Sequence, residues 1–200
     1  MKSTPNFEFE TAALQPVCGV DEVGRGPWAG PVTAAAVILD PYNIPAGLND
    51  SKKLTKARRE ALFIEIMATA TISIASASVQ EIDQINILQA TFLAMRRAIE
   101  GLGIKPQFAL IDGNKIPPNL PCKAQAIVKG DARSLSISAA SIVAKVTRDR
   151  LMCDLSATFP GYGWETNAGY GTKAHQEGLA TLGITPHHRV SFKPIHKMLC

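Results

Sequence analysis

Apolar positions along the chain fall into two rhythms, short β-branched runs and longer stretches at helical spacing. Residues 17–21 and 32–39 read as strands, separated by a turn rich in glycine and proline. Turn-forming residues fill 40–50, which reads as a loop. Thr55 is placed to cap a helix to about residue 67, with Leu62, Phe63, Ile66 and Met67 on one face. The β-branched stretch 71–79 predicts a third strand. Leu88, Phe92, Met95, Ile99 and Leu102 then follow helical spacing, and Gly101, Gly103 and Pro106 end it. Residues 108–111 and 124–128 are two more short strands. A long helix is expected over 138–159 and a shorter one over 172–182. Strands interleaved with helices predict an α/β domain. With no repeat, low-complexity segment or linker, residues 1–200 are expected to form one domain.

Composition changes this picture little. The chain is 46% apolar and 19% charged, as expected of a soluble globular protein. Four scattered cysteines (Cys18, Cys122, Cys153, Cys200) form no Cys-x-x-Cys pair, which argues against a zinc ribbon or a disulfide scaffold and fits a reducing cytoplasm. The first ten residues lack the apolar core of a signal peptide, and runs such as 34–39 are too short to span a membrane. The net charge of +4 favours a polyanionic partner only slightly. Basic residues do cluster: Lys52, Lys53, Lys56, Arg58 and Arg59; Lys145, Arg148 and Arg150; His187, His188, Arg189, Lys193 and Lys197. Each cluster reads equally as a solvated face or as a phosphate contact.

The candidate chemistry lies where apolar runs meet glycine. Asp21 and Glu22 stand side by side before Val23-Gly24-Arg25-Gly26-Pro27, and Asp112-Gly113 and Gly130-Asp131 follow two later apolar runs. Neighbouring residues of a strand face opposite ways, so Asp21 and Glu22 share one centre only if the strand ends or bulges there, as Val23-Gly24 suggests. Several carboxylates at strand ends, without nearby histidine or cysteine, make an all-oxygen site suited to Mg²⁺ or Mn²⁺, with Ca²⁺ as a non-catalytic occupant. Phosphoryl chemistry is the usual work of such a site. An Asp-Gly pair is also a common turn, and spacing alone leaves that alternative open. Gly24-Arg25-Gly26 is either a tight turn or a set of backbone amides offered to a sugar or phosphate. Tyr170, between Gly169 and Gly171 ahead of the last helix, either stacks on a sugar or base or caps the surface. The four histidines are expected at the surface or on phosphates, and no Gly-x-Ser-x-Gly elbow supports a serine hydrolase.

Taken together, these residues carry a resemblance. Val20-Asp21-Glu22-Val23-Gly24-Arg25-Gly26-Pro27, Asn49-Asp50-Ser51-Lys52-Lys53-Leu54, Leu110-Ile111-Asp112-Gly113-Asn114, Val128-Lys129-Gly130-Asp131, the stretch 138–149 and Gly169-Tyr170-Gly171-Thr172 closely resemble bacterial ribonuclease HII, over about 17–194. The resemblance implies a ribonuclease H-like fold: a five-stranded mixed sheet flanked by helices, with a helical C-terminal part. It implies cleavage of RNA in RNA/DNA hybrids and 5′ to single ribonucleotides in duplex DNA, as in ribonucleotide excision repair, leaving 3′-hydroxyl and 5′-phosphate ends. Carried over to this chain, it makes Asp21, Glu22, Asp112 and Asp131 the catalytic acids holding Mg²⁺ or Mn²⁺. Asp21 would bridge two metals. Gly24, Arg25 and Gly26 would read the ribose 2′-hydroxyl, and Tyr170 would stack on the following deoxyribose. Lys52, Lys53, Lys145 and Arg148 are expected phosphate contacts. A cytoplasmic monomer with no membrane association is expected. Trp28 stands where leucine is common, and Asn167-Ala168 where His-Lys often precedes the Gly-Tyr pair, so a weaker backbone grip is expected there. Two rivals remain: an acid-centred nuclease or recombinase without ribonucleotide selectivity, and a hybrid-binding protein without catalysis, which would not need four acids.

Overall fold

Alternation along five strands sorts the core into two halves. The structure, a computed structural model, describes residues 4–199. β1 (Val17–Val23), β2 (Val32–Ile38), β3 (Thr71–Ala77), β4 (Phe108–Asp112) and β5 (Lys123–Ile127) form one sheet in the order β3-β2-β1-β4-β5. β2 runs antiparallel to β1 and β3, whereas β1, β4 and β5 run parallel to one another. This is the mixed five-stranded sheet that the resemblance implied. Cys18 and Val20 of β1, with Val32, Ala34 and Ala36 of β2, pack against Ala90, Ala94, Met95 and Ile99 of α3 (Val79–Glu100). Ala35 and Val37 face the other way, onto α2 (Lys56–Thr69) and α4 (Leu135–Thr158).

One position sets how closely α4 lies on the sheet. Gly19 points toward the start of α4, where an added Cβ would overlap the Ser136 carbonyl carbon and the Ile137 nitrogen. The absence of a side chain therefore lets the helix backbone rest directly on β1. Ser134 caps that helix by accepting from the Ile137 N–H, and Glu10 of α1 (Glu8–Ala12) accepts from Ser134 Oγ and the Ser136 N–H.

The element boundaries differ from the sequence reading for local reasons. The first strand runs on to Val23, through both acids. The third ends at Ala77, because Ser78 and Glu81 form a reciprocal capping box that starts α3. α3 therefore begins well before Leu88. Its run breaks at Asn86 (φ 66°), whose side chain accepts from the N–H groups of Leu88 and Gln89 and so recaps the helix. α4 starts at Leu135, three residues before the expected position. α1, α5 (Trp164–Asn167) and α7 (Lys193–His196) are too short to show a period, whereas α6 (Lys173–Leu182) lies where expected, capped by Thr172. Cys18, Cys122 and Cys153 are free thiols, while Cys200 and residues 1–3 lie outside the described residues. No described helix is long and apolar enough to cross a membrane.

The expectation that the histidines lie at the surface fails for two of them. His175 and His188 are buried beside Tyr162 and Trp164 in the helical C-terminal part. The Thr185 N–H donates to His188 Nδ1 (2.9 Å), which places the His188 proton on Nε2, 3.0 Å from His175 Nε2. His175 Nε2 also accepts from the Trp164 indole (3.1 Å), so His175 Nδ1–H donates to the Tyr170 carbonyl (3.0 Å). Both rings are neutral in this arrangement. Burial, then the neighbouring His175, pushes His188 down to about 4.

Two predictions follow from this packing. Gly19→Ala forces α4 off β1 and should cost about 1–3 kcal/mol or more, measured by urea denaturation. The folded state keeps His188 neutral to about pH 4, whereas the unfolded chain binds the proton from about pH 6.5 downward. Stability should therefore be intact above pH 6.5 and drain away as pH falls toward 4. His188→Gln, which cannot titrate, should show a shallower loss across that window in thermal melts.

Candidate active site

The parallel pairing of β1 and β4 decides which acids meet. Val20 is in register with Ile111, so Asp21 and Asp112 stand level where β4 ends. Asp21 lies on the Gly19 side of β1, toward α4, and is buried. Ser141 of α4, which donates to Ser51 Oγ at 2.9 Å, lies close enough to favour the ionised form of Asp21. Glu22 lies on the opposite side, at the wall of a cleft of about 280 Å³ lined also by Leu88, Thr91, Met95, Asp112 and Asn114. The strand does not end between the two acids. They face opposite sides of β1, and Asp112 beside the strand interacts with both.

Asp131 arrives from a different direction. After β5, Lys129 takes a left-handed conformation (φ 56°) and a single 3₁₀ turn, Gly130–Ala132, carries the acid. The Gly130 N–H donates to Asp112 Oδ1 at 2.7 Å, tying that turn to the end of β4. Ser138 of α4 donates to the Asp131 carbonyl, which fixes the turn from below.

The electrostatics are those of like charges gathered in low dielectric. Burial, then Glu22 and Asp112, hold the Asp21 carboxyl well above the usual carboxylate range. Burial raises Glu22 also, opposed by Arg25 at 3.4 Å. Asp131 is pushed up to about 6 by burial, then by Asp112 and Asp50, with Lys52 opposing. Among the described residues, no three His, Cys, Asp or Glu side chains form a ready-made cation cage. The donor set is nevertheless oxygen alone, and among the described residues Asp21 has no cationic partner. Such a cluster fits a hard divalent ion, which would offset the repulsion among its carboxylates.

The loop after β1 is organised by two buried arginines. Arg189 donates to the carbonyls of Gly24 (2.6 Å), Arg25 (3.0 Å), Pro27 (2.8 Å) and Gly30 (2.9 Å). Arg148 donates to the carbonyls of Ala29, Pro31 and Ala168. Neither forms a salt bridge among the described residues, although Asp149 and Asp83 act on Arg148 and Arg189 from further away, and burial lowers Arg148 to about 10 and Arg189 to about 9. The expected role of Arg148 as a phosphate contact is thus corrected, because its side chain is fully buried and occupied by backbone. Tyr170, half exposed, lies against Gly26, where an added Cβ would sit 3.3 Å from its ring.

The expected lysines divide. Lys52 is exposed beside Asp131, and Lys53 reaches Asp50 at 4.0 Å. Lys145 pairs with Asp149 at 2.7 Å and lines a separate cleft with Lys56, Arg59 and Arg150. Asp50, Ser141 and Arg189 were given no individual role in the sequence analysis. Asp50 and Ser141 stood within stretches that carry the resemblance, and Arg189 within a basic cluster. Their roles depend on which distant segment each meets.

The chain was compared with known proteins. The family profile described as Ribonuclease HII matches residues 18–195. Ribonuclease HII of Jannaschia sp. (strain CCS1) is 63% identical over 196 residues, covering 98% of each chain. Ribonuclease HII of Cereibacter sphaeroides (strain ATCC 17029 / ATH 2.4.9) is 64% identical over 199 residues, covering 98% of this chain and 94% of the relative. Ribonuclease H2 from Pyrococcus horikoshii OT3 superposes with a TM-score of 0.76 at 30% identity, covering 91% of this chain and 96% of that one. Bst-RNase HIII, solved in complex with Mn²⁺, superposes at 0.74 over 92% of this chain and 68% of its own, and at 20% identity shows the shared fold alone. By profile and by relatives matched along nearly its whole length, the chain belongs to the ribonuclease HII family, whose members are metal-dependent hydrolases.

Proposed function

We propose that this ribonuclease hydrolyses RNA in RNA/DNA hybrids and cuts duplex DNA on the 5′ side of a single embedded ribonucleotide, leaving 3′-hydroxyl and 5′-phosphate ends. The observation that carries the reading is the meeting of two features at one end of the sheet. Asp21, Glu22 and Asp112 gather where β1 and β4 finish, and the Gly24-Arg25-Gly26 loop with Tyr170 adjoins them. Asp21, Glu22, Asp112 and Asp131 would hold Mg²⁺ or Mn²⁺. Such an ion, when bound, supplies an activated water and neutralises charge developing on the leaving oxygen.

The remaining work falls to the chain's own groups. Arg25 favours the ionised form of Glu22, and Lys52 that of Asp131, each partly offsetting the burial that raises both acids. Gly24, Arg25 and Gly26 would read the 2′-hydroxyl, the group that separates RNA from DNA at a given site. The exposed Tyr170 ring would stack on the next deoxyribose. Lys52 and Lys53, on the loop before α2, suit phosphate oxygens near Asp131. Lys145 suits the duplex further along, because its cleft contains none of the four acids. Asn167 replaces the usual histidine with a structural role: its Oδ1 accepts from the Gly169 N–H and its Nδ2 donates to the Tyr162 carbonyl. The Tyr170 loop is thereby held without a lysine at 168. The enzyme would act as a cytoplasmic monomer, since one chain carries all the groups the reading needs.

The deciding experiment is cleavage of a labelled DNA duplex bearing one ribonucleotide, beside an all-DNA control and an RNA/DNA hybrid, in Mg²⁺, Mn²⁺ or EDTA. A single metal-dependent cut 5′ to the ribonucleotide is expected, with no product in EDTA. Cleavage of the hybrid alone would remove the roles given to the glycine-rich loop and Tyr170. Asp21→Asn should lower turnover by about a hundredfold or more. The same substitution should raise the melting temperature of the metal-free protein at pH 8. The folded state raises the Asp21 pKa, so above the unfolded value its charge opposes folding, and Asn removes that charge. A fall in both activity and melting temperature would instead make Asp21 a structural residue.

A further inference from the structure

The loop that adjoins the acids contains four peptide carbonyls turned onto one side chain. Arg189 reaches the carbonyls of Gly24, Arg25, Pro27 and Gly30, and its own position is fixed by backbone pairing of 187–189 with 28–30. Among the described residues only Gln15-Pro16 is a cis peptide, so the peptide units following these four residues are trans. In a trans unit the N–H points opposite to the carbonyl. Each carbonyl drawn inward by Arg189 therefore turns the N–H of the following residue away from it.

The four units do not share the same fate. The unit after Gly30 ends in Pro31, which has no N–H. The Trp28 N–H is taken by the Gly169 carbonyl at 2.8 Å. The remaining two, the N–H groups of Arg25 and Gly26, donate to nothing among the described residues. Both residues are exposed, and Tyr170 and Glu22 lie beside them. A guanidinium suits this task because its planar fork serves several acceptors at once, which the point charge of lysine cannot reproduce.

We infer that Arg189 is a positioning residue for ribonucleotide recognition, holding the Arg25 and Gly26 amides outward as a paired donor for the ribose 2′-hydroxyl. The inference rests on the reading of the glycine-rich loop proposed above, and adds what aims it. Arg148 supplies the internal contrast. It is equally buried and likewise forms no salt bridge among the described residues, yet its carbonyl partners at Ala29, Pro31 and Ala168 belong to none of the peptide units that present the two amides.

The test compares binding of a DNA duplex bearing one ribonucleotide with that of the matching all-DNA duplex, using Ca²⁺ in place of the catalytic ion. Arg189→Lys should reduce the preference for the ribonucleotide duplex by about tenfold or more, the scale of one charge-assisted hydrogen bond. Arg148→Lys should leave that preference within about threefold, whatever it does to the melting temperature. An unchanged preference in Arg189→Lys, or equal losses in both variants, would reduce Arg189 to a structural residue and overturn the inference. Amide hydrogen exchange of the wild-type protein decides the matter if Arg189→Lys does not fold. The Arg25 and Gly26 amides should exchange fast in the free protein and become protected by the ribonucleotide duplex but not by the all-DNA one. Protection in the free protein, or none with the ribonucleotide, would overturn it. A wild-type protein that binds both duplexes equally would instead remove the junction reading itself, a result visible before any variant is made.

Discussion

The close seating of α4 on β1 is the contact from which the rest of the site takes its geometry. Gly19 leaves the helix backbone room to rest on the strand, and the same helix carries Ser138 beneath Asp131 and Ser141 beside Asp21. A side chain at Gly19 would disturb both relations together. The buried Glu10 reinforces this seating from the other end by bonding the first turn of α4. Two acids on different elements are therefore placed by one helix, which is how a rigid scaffold achieves a separation that loops alone would leave loose.

Charge is distributed across this scaffold in an unusual way. Acids without adequate cations gather at the ends of β1 and β4, while Arg148 and Arg189, which form no salt bridge among the described residues, lie under the adjoining loop. Pairing the two sets would have given more conventional local electrostatics. The arginines instead direct their donors to carbonyls, leaving Asp21 and Asp131 without them. Buried charge of this kind is tolerated because the guanidinium N–H groups are met by peptide carbonyls.

Much of the fold was legible because it depends on short-range patterns. The five strands and the long helices follow from periodicity, and the acids stood out because carboxylates at the ends of apolar runs conflict with burial. The misplaced boundaries have local causes that periodicity does not register, such as the capping box at Ser78 and the recapping break at Asn86. The histidines and Arg148 were misplaced for a different reason. A polar side chain reads as exposed until the segment that will satisfy it is known. His188 needs Thr185 and His175, and Arg148 needs the carbonyls of Ala29, Pro31 and Ala168. Asp50 was given no role of its own on the same ground, because its neighbour Asp131 is distant in sequence.

The departures at Trp28 and Asn167-Ala168 can be understood together through this same dependence on partners. Trp28 fills the space over Gly171, where any Cβ would meet its ring, and its own ring lies 5.8 Å from that of His175. Its N–H holds Gly169, and its carbonyl receives the Arg189 N–H. Asn167 closes the turn from within, and Ala168 takes a left-handed conformation whose carbonyl receives Arg148. The Tyr170 segment is thus tied on one side to the histidine pair and on the other to the glycine-rich loop. A lysine at 168 would add charge toward the substrate, but the turn does not need it for its shape. On the proposed reading, the substitutions would weaken the grip on phosphate and leave intact the contact between Tyr170 and the loop that adjoins the acids, where selection between ribose and deoxyribose would be made.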